Sequence, residues 1–325
     1  MGEKLPAIEV KNEVVWVNHD VEMPFNFEED KSSKIGVFLT PEPKNEQESI
    51  FHVRVMDNHF RSALLGKVVF KDKEGNLYRD VDIKGMGAVT SEPGDLQVEI
   101  IEKGSGKKYD RGKTPWGFLD WGYAETDRDM SELFIKQGLR THRALAIIRL
   151  DEIVVENGEK ISVSKARKLE YIKYTTEPVI EVRAFGTKAR ITDGINPALF
   201  KDAKHMVAQE LGENPQDFTD EKYLKWFAKT LGEQVAIIHN AGFIHRYLTD
   251  HNITLDCRIV DLDSVKKNKA KELLYDKEMI KDIYQAISSL VVFYRDKNIV
   301  NYRGLIGDFL DSYISSSHLV AKVSP

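Results

Sequence analysis

A chain of 325 residues has room for about two domains of ~150 residues each and for a substantial core, which excludes a disulfide-held miniprotein. Its 47 basic against 52 acidic side chains leave a net charge of −5, so a general electrostatic grip on nucleic acid is not expected, and 42% apolar content with 21 Gly and 10 Pro excludes a low-complexity chain. The single cysteine, Cys257, rules out an internal disulfide or a cysteine-rich zinc site and fits the reducing cytoplasm; apolar runs such as 144–148 fall far short of the ~20 residues that span a bilayer, so no membrane partner is expected.

In chain order, residues 1–85 alternate β-branched and aromatic residues with polar ones and predict strands at Val14-Val15-Trp16-Val17, Ile35-Gly36-Val37-Phe38-Leu39 and Phe51-His52-Val53-Arg54-Val55. The clearest hairpin follows, with strands at 66–70 and 77–84 around Lys71-Asp72-Lys73-Glu74-Gly75-Asn76, where Gly and Asn tolerate positive φ. Lys84 then stands at the end of an inner strand. Residues 85–118 are punctuated by glycine, with an extra hairpin expected near 96–101 and a loop tip at Gly104-Ser105-Gly106-Lys107-Lys108. A helix is expected over about 124–137, closed by Gly138, with Tyr123, Asp127, Met130 and Phe134 facing inward. Asp127 is thereby an acid on an apolar face.

Strands at 144–150 and 178–183 come next, and beyond about residue 194 the pattern turns helical. Leu224, Phe227, Leu231, Val235 and Ile238 mark a buried helix ending at Gly242, followed by helices at 280–295 and 304–315. The expected fold is α+β: a β-rich lobe over 1–193, with an N-terminal extension and an inserted hairpin, and an α-helical lobe over 194–325 that carries the catalytic and metal-binding loops.

The densest chemical signal is His245-Arg246-Tyr247-Leu248-Thr249-Asp250-His251-Asn252, followed by Asp261. An Asn amide oxygen and an Asp carboxylate on the two strands of one tight hairpin are expected to converge on a hard cation if Asp256-Cys257-Arg258 forms the turn, which is the physical logic of the resemblance that follows. The stretch resembles the protein-kinase catalytic loop H-R-D-L-x-x-x-N at His245, Arg246, Leu248 and Asn252, with Asp261 where kinases keep their metal-binding Asp. That resemblance implies a two-lobed protein-kinase-like fold with ATP and Mg²⁺ in its cleft. It assigns the metal to Asn252 and Asp261, phosphate contact to Lys84, and the positioning of Lys84 to Asp127. Tyr247 occupies the position of the kinase Asp that accepts the substrate hydroxyl proton, a task a tyrosine cannot perform at neutral pH; Asp250 and His251 are the nearest alternatives. The segment 61–68 keeps only the last Gly and Val of the kinase glycine-rich loop.

These departures resemble selenoprotein O, a kinase-like family that transfers AMP from ATP to protein hydroxyls and also lacks that Asp. Asp82-Ile83-Lys84-Gly85-Met86-Gly87 is similar to its Q-L-K-G-A-G, and Gly112-Lys113-Thr114-Pro115-Trp116 to its G-R-T-P-Y, which makes Lys113 a further nucleotide contact. Gly138-Leu139-Arg140-Thr141-His142-Arg143-Ala144-Leu145-Ala146 resembles G-I-P-T-T-R-A-L-A. Arg183 and Arg190 keep an arginine pair seven residues apart which, by the resemblance, holds the terminal phosphates of a reversed nucleotide. Where the family has N-T-D-N, this chain has Thr249-Asp250-His251-Asn252, its Asp displaced by one position.

The expected activity is adenylyl transfer to the hydroxyl of a protein substrate. A phosphotransferase with an atypical base and a nucleotide-binding pseudokinase serving as an interaction module are the alternatives. His239, His245 and His251 recur every six residues, which matches no helical zinc spacing. The lysines at 266, 267, 269 and 271 read as a solvated run.

Overall fold

The computed structural model describes residues 3–23, 25–41, 50–57, 59–73, 75–92, 95–99, 101, 117–268, 276–296 and 302–318, and the chain is mixed α+β. It divides into two compact units: residues 1–125 with 143–185, and residues 126–142 with 186–325. Among the described residues no helix is long and apolar enough to cross a membrane.

The first unit contains β1 (Glu3–Glu9), β2 (Asn12–Val17), β3 (Val37–Leu39), β4 (Ile50–Val55), β5 (Ser62–Lys71), β6 (Leu77–Lys84), β7 (Ala88–Glu92), β8 (Asp95–Glu99) and β9 (Leu119–Asp120). The chain then enters α1 (Trp121–Ile135), which runs on into the second unit, and returns as β10 (Arg143–Leu150), β11 (Glu152–Val154), β12 (Lys160–Ser162), α2 (Val163–Lys168) and β13 (Pro178–Phe185). Among the described residues a nine-stranded sheet runs in the order β2-β10-β13-β6-β5-β4-β1-β3, with β9 also on β13, and its pairings are antiparallel. β7 and β8 form the separate hairpin expected in this region, although it lies at 88–99; the tip at 104–108 is outside the described residues.

The β5–β6 turn closes as its residues dictate. Asp72 accepts from Asn76 N at 2.8 Å, and Gly75 takes φ +88°, a conformation a side chain would strain. The same carboxylate binds Arg143 Nη1 at 3.0 Å and Tyr78 Oη at 3.1 Å, so the turn is anchored to β10. Period-two alternation then sorts β6 and β13 into two faces. Val81, Ile83, Ile180, Val182 and Ala184 enter the apolar core fully buried, each large side chain contributing roughly 1.5–3 kcal/mol. Lys84, Asp82, Glu181 and Arg183 lie on the opposite face.

In the second unit α3 (Pro197–Glu210) starts under Asn196, whose side chain accepts from Ala198 N with Pro197 at the first helical position. α4 (Asp220–Asn240) starts under Thr219 and ends before Gly242 at φ +78°. Its five predicted apolar positions are buried. Then come β14 (Phe243–Ile244), β15 (Lys266–Lys267), α5 (Lys277–Asp296) and α6 (Tyr302–Ser316). α4 and α6 touch backbone to backbone at Gly232, where a Cβ would stand 2.3 Å from Phe309 O.

α1 shows one shift of phase. Ala124, Asp127, Ser131 and Phe134 are buried, whereas Tyr123 is 45% exposed and Met130 half-buried. The ridges 123-127-130-134 and 124-127-131-134 share two positions; the small Ala124 fits against the sheet, while the phenol ring of Tyr123 remains in solvent.

Candidate functional site

In the first unit the candidate residues from the sequence lie on the charged face of the sheet. Lys84 ends β6 with 2% exposure, between Ser62 on β5 and Glu181 on β13 in register. One step back, Asp82 and Arg183 are cross-strand partners joined by a fork, Arg183 Nε to Oδ1 at 3.1 Å and Nη2 to Oδ2 at 3.0 Å, with both side chains buried. The guanidinium also lies 5.2 Å from the Phe185 ring. Such a pair persists in the interior because each charge meets the other with good geometry. Arg183 thus has the local ion-pair partner that a strand arginine needs.

In the second unit the stretch 252–261 forms the expected hairpin. Val260 N donates to Asn252 O at 3.0 Å, Ile253 bridges Ile259, and the turn closes through Cys257 N to Thr254 O, with Cys257 at φ +58°. The turn is rigid. Asp256 accepts from Thr254 Oγ1 at 2.5 Å and from Arg258 Nε at 2.6 Å, and Arg258 Nη1 reaches back to Thr141 O at 2.9 Å. Burial raises the Asp256 carboxyl, but Arg258, then Arg140, outweigh it and hold the pKa below the usual value.

Asn252 Nδ2 donates to Tyr247 O at 3.0 Å, so its amide oxygen is the atom left to accept or to ligate. Asp261 follows Val260 and takes φ +60°, ψ +56°, a left-handed conformation that costs a non-glycine residue of order 1–3 kcal/mol. Within 244–262 the exposed or half-exposed positions are 246, 247, 249–252 and 261; the rest are buried. The packing residues hold the hairpin, and those with chemistry remain accessible.

The loop at 245–252 is held by side chains from elsewhere. Asp282 on α5 accepts from His245 N at 2.6 Å and Arg246 N at 2.8 Å, and it lies 3.5 Å from His239 Nε2, whose Nδ1 meets Tyr313 Oη at 2.8 Å. His245 is fully buried; its Nε2 faces Val260 O at 3.0 Å and its Nδ1 accepts from Tyr247 N at 3.3 Å. A carbonyl only accepts and a backbone N–H only donates, so the ring carries its proton on Nε2. Burial lowers its pKa, against the opposing pull of Asp282, and the ring is neutral. Arg246, at φ +76°, is clamped by the same aspartate.

Of the other predicted residues, Asp127 is buried in α1, with Oδ1 accepting from Leu262 N at 2.7 Å and Oδ2 3.2 Å from His142 Nε2. Arg190 bridges Thr254, and its backbone N–H donates to Asp193 Oδ2 at 2.8 Å, so it flanks the hairpin that carries Asn252. Asp250 is half-buried, and His251 is exposed with Nε2 3.9 Å from Asp250 Oδ1. Tyr247 is 48% exposed. Lys113 and its block 112–116 lie outside the described residues.

Asp127, Arg190, Asp250, His251, Asn252 and Asp261 belong to the second unit, while Lys84 and Arg183 share a face of the sheet in the first. Sequence reasoning missed Asp282 and His142, the residues that hold others in place. A cleft of about 490 Å³ in the first unit, lined by Lys11, Arg149, Arg167 and Glu177 among others, includes none of the predicted residues.

Asn252, at the start of the hairpin, and Asp261, just past its end, carry side-chain oxygens of the kind Mg²⁺ takes. No protein-family model matches the chain, and no curated protein matches it.

Proposed function

We propose that the chain is an ATP- and Mg²⁺-dependent transferase of the protein-kinase-like fold, similar to selenoprotein O, that moves AMP to a hydroxyl of a protein. The observation that carries this reading is the 252–260 hairpin: Asn252 at its start, a left-handed Asp261 just past its end, and a loop clamped by Asp282 and His245. Three further features support it. Lys84 ends the third strand of the consecutive β4-β5-β6 meander, as a kinase phosphate lysine does, and an acid-bearing helix follows. Arg190 flanks the hairpin. Asp250 and His251 directly precede Asn252 in the same loop.

In this reading Asn252 Oδ1 and the Asp261 carboxylate hold Mg²⁺, which when bound neutralises phosphate charge. The likeness to selenoprotein O further assigns phosphate contacts to Lys84, Lys113, Arg183 and Arg190, of which Arg183 is already paired with Asp82. Asp250, with His251 beside it, accepts the proton as the acceptor O–H bond breaks and an O–P bond forms to the α-phosphorus, with pyrophosphate leaving.

Tyr247 favours a second reading, a pseudokinase acting as an interaction module, because it is exposed where a kinase keeps its base. Incubation with ATP labelled at the α or the γ position distinguishes these. Protein-bound label from the α position alone is expected; label from γ alone replaces the proposal with phosphotransfer, and none from either favours the pseudokinase.

A further inference from the structure

Asp261 sits in a conformation it would not choose. Left-handed backbone is strained for a side chain other than glycine and persists only where neighbours over-determine it. On its N-terminal side the constraint is the hairpin, through Val260 N to Asn252 O at 3.0 Å. On its C-terminal side the next amide, Leu262 N, leaves the hairpin and donates at 2.7 Å to Asp127 Oδ1 in the middle of α1, far away in sequence. Both ends of the bond are buried, Asp127 and Leu262 each at 0% exposure. The other carboxylate oxygen lies 3.2 Å from His142 Nε2, in the segment that leaves the same helix, which fixes the direction in which Asp127 points.

We propose that Asp127 is the positioning residue of the metal loop: its carboxylate holds the Leu262 N–H and thereby keeps Asp261 left-handed, with its side chain offered to a divalent cation. The inference deepens the reading above, since it rests on Asp261 as the metal ligand. It assigns Asp127 a task other than holding Lys84. α1 and the metal loop become one mechanical element, so the placement of the helix is transmitted to the ligand geometry through this buried hydrogen bond.

Two substitutions separate the tasks. Asp127→Asn removes the charge but keeps a side-chain oxygen able to accept from Leu262 N–H; Asp127→Ala removes both. If Asp127 acted only as a counter-charge to a lysine, the two variants would behave alike.

Amide hydrogen exchange over 260–265 and Mn²⁺ binding in the presence of a non-hydrolysable ATP analogue, read by electron paramagnetic resonance, are measured for wild type and both variants, with Asp261→Ala as control. Exchange at Leu262 should quicken by about tenfold or more in Asp127→Ala, the ratio expected for losing one hydrogen bond to a charged acceptor, and stay within about threefold of wild type in Asp127→Asn. Mn²⁺ affinity should follow the same order. Equal behaviour of the two variants, or unchanged exchange in Asp127→Ala, overturns the proposal. If Asp127→Ala does not fold, fast exchange at Leu262 in folded Asp127→Asn overturns it equally, and protection there supports it. Wild type that binds no Mn²⁺ removes the metal reading instead, and the exchange pattern then decides the positioning role alone.

Discussion

Replacing Asp282 by alanine lowers the free energy of unfolding by about 3–5 kcal/mol in this account. The carboxylate is fully buried and accepts from two consecutive backbone amides, the buried His245 N and the part-buried Arg246 N. Each buried donor left unsatisfied costs ~1–3 kcal/mol, and Arg246 loses the contact that stabilises its positive φ. Asp282→Asn, which keeps one acceptor oxygen, should lose about half as much. Urea unfolding at equilibrium measures both. A loss below about 1 kcal/mol in the alanine variant would show that the loop is held by something other than this aspartate.

The second large effect belongs to the Asp82–Arg183 fork. Asp82→Leu removes the carboxylate that faces a buried guanidinium and should cost about 3–5 kcal/mol, as should Arg183→Met, which removes the guanidinium that faces that carboxylate. Replacing both, Asp82→Leu with Arg183→Met, removes both desolvation penalties together. The double variant should therefore be more stable than either single one. A double-mutant cycle of unfolding free energies reads this coupling; strict additivity of the two losses would mean that the charges do not interact.

The legible parts of the fold were those with local causes. The β5–β6 hairpin follows from Gly75 and Asn76 in its turn, and α4 from an apolar ladder bounded by Thr219 and Gly242, so neither required knowledge of what lies across the fold. The phase of α1 did not follow, because two overlapping ridges fit the same apolar residues and only the packing surface selects between them. Asp282 had the same signal that marked Asp127: it falls in the buried series Met279, Asp282, Ala286, Leu290 and Phe293, at steps of three and four. An acid in such a series is a request for a buried partner.

The candidate site divides along the same line. The 252–260 hairpin was readable because its spacing and its Asp256-Cys257-Arg258 turn are local. The block 138–146 was read only as a likeness, yet its physical work is specific: Arg140 O accepts from Ile259 N at 3.0 Å, Thr141 O accepts from Arg258, and His142 faces Asp127. The first two contacts join residues more than a hundred positions apart, and no local pattern encodes them. The partner of Arg183 was equally hidden, since Asp82 becomes its neighbour only through the β6–β13 register.

The central claim is that the hairpin binds a metal-bound nucleotide, and metal-dependent ATP binding tests it most directly. Thermal unfolding of wild type and of Asp261→Ala is followed with ATP alone and with Mg²⁺-ATP. The account predicts stabilisation of wild type by Mg²⁺-ATP, about 2.7 kcal/mol at one hundred times the dissociation constant, and its loss in Asp261→Ala. No stabilisation of wild type at saturating Mg²⁺-ATP, or the same stabilisation in both proteins, would contradict it.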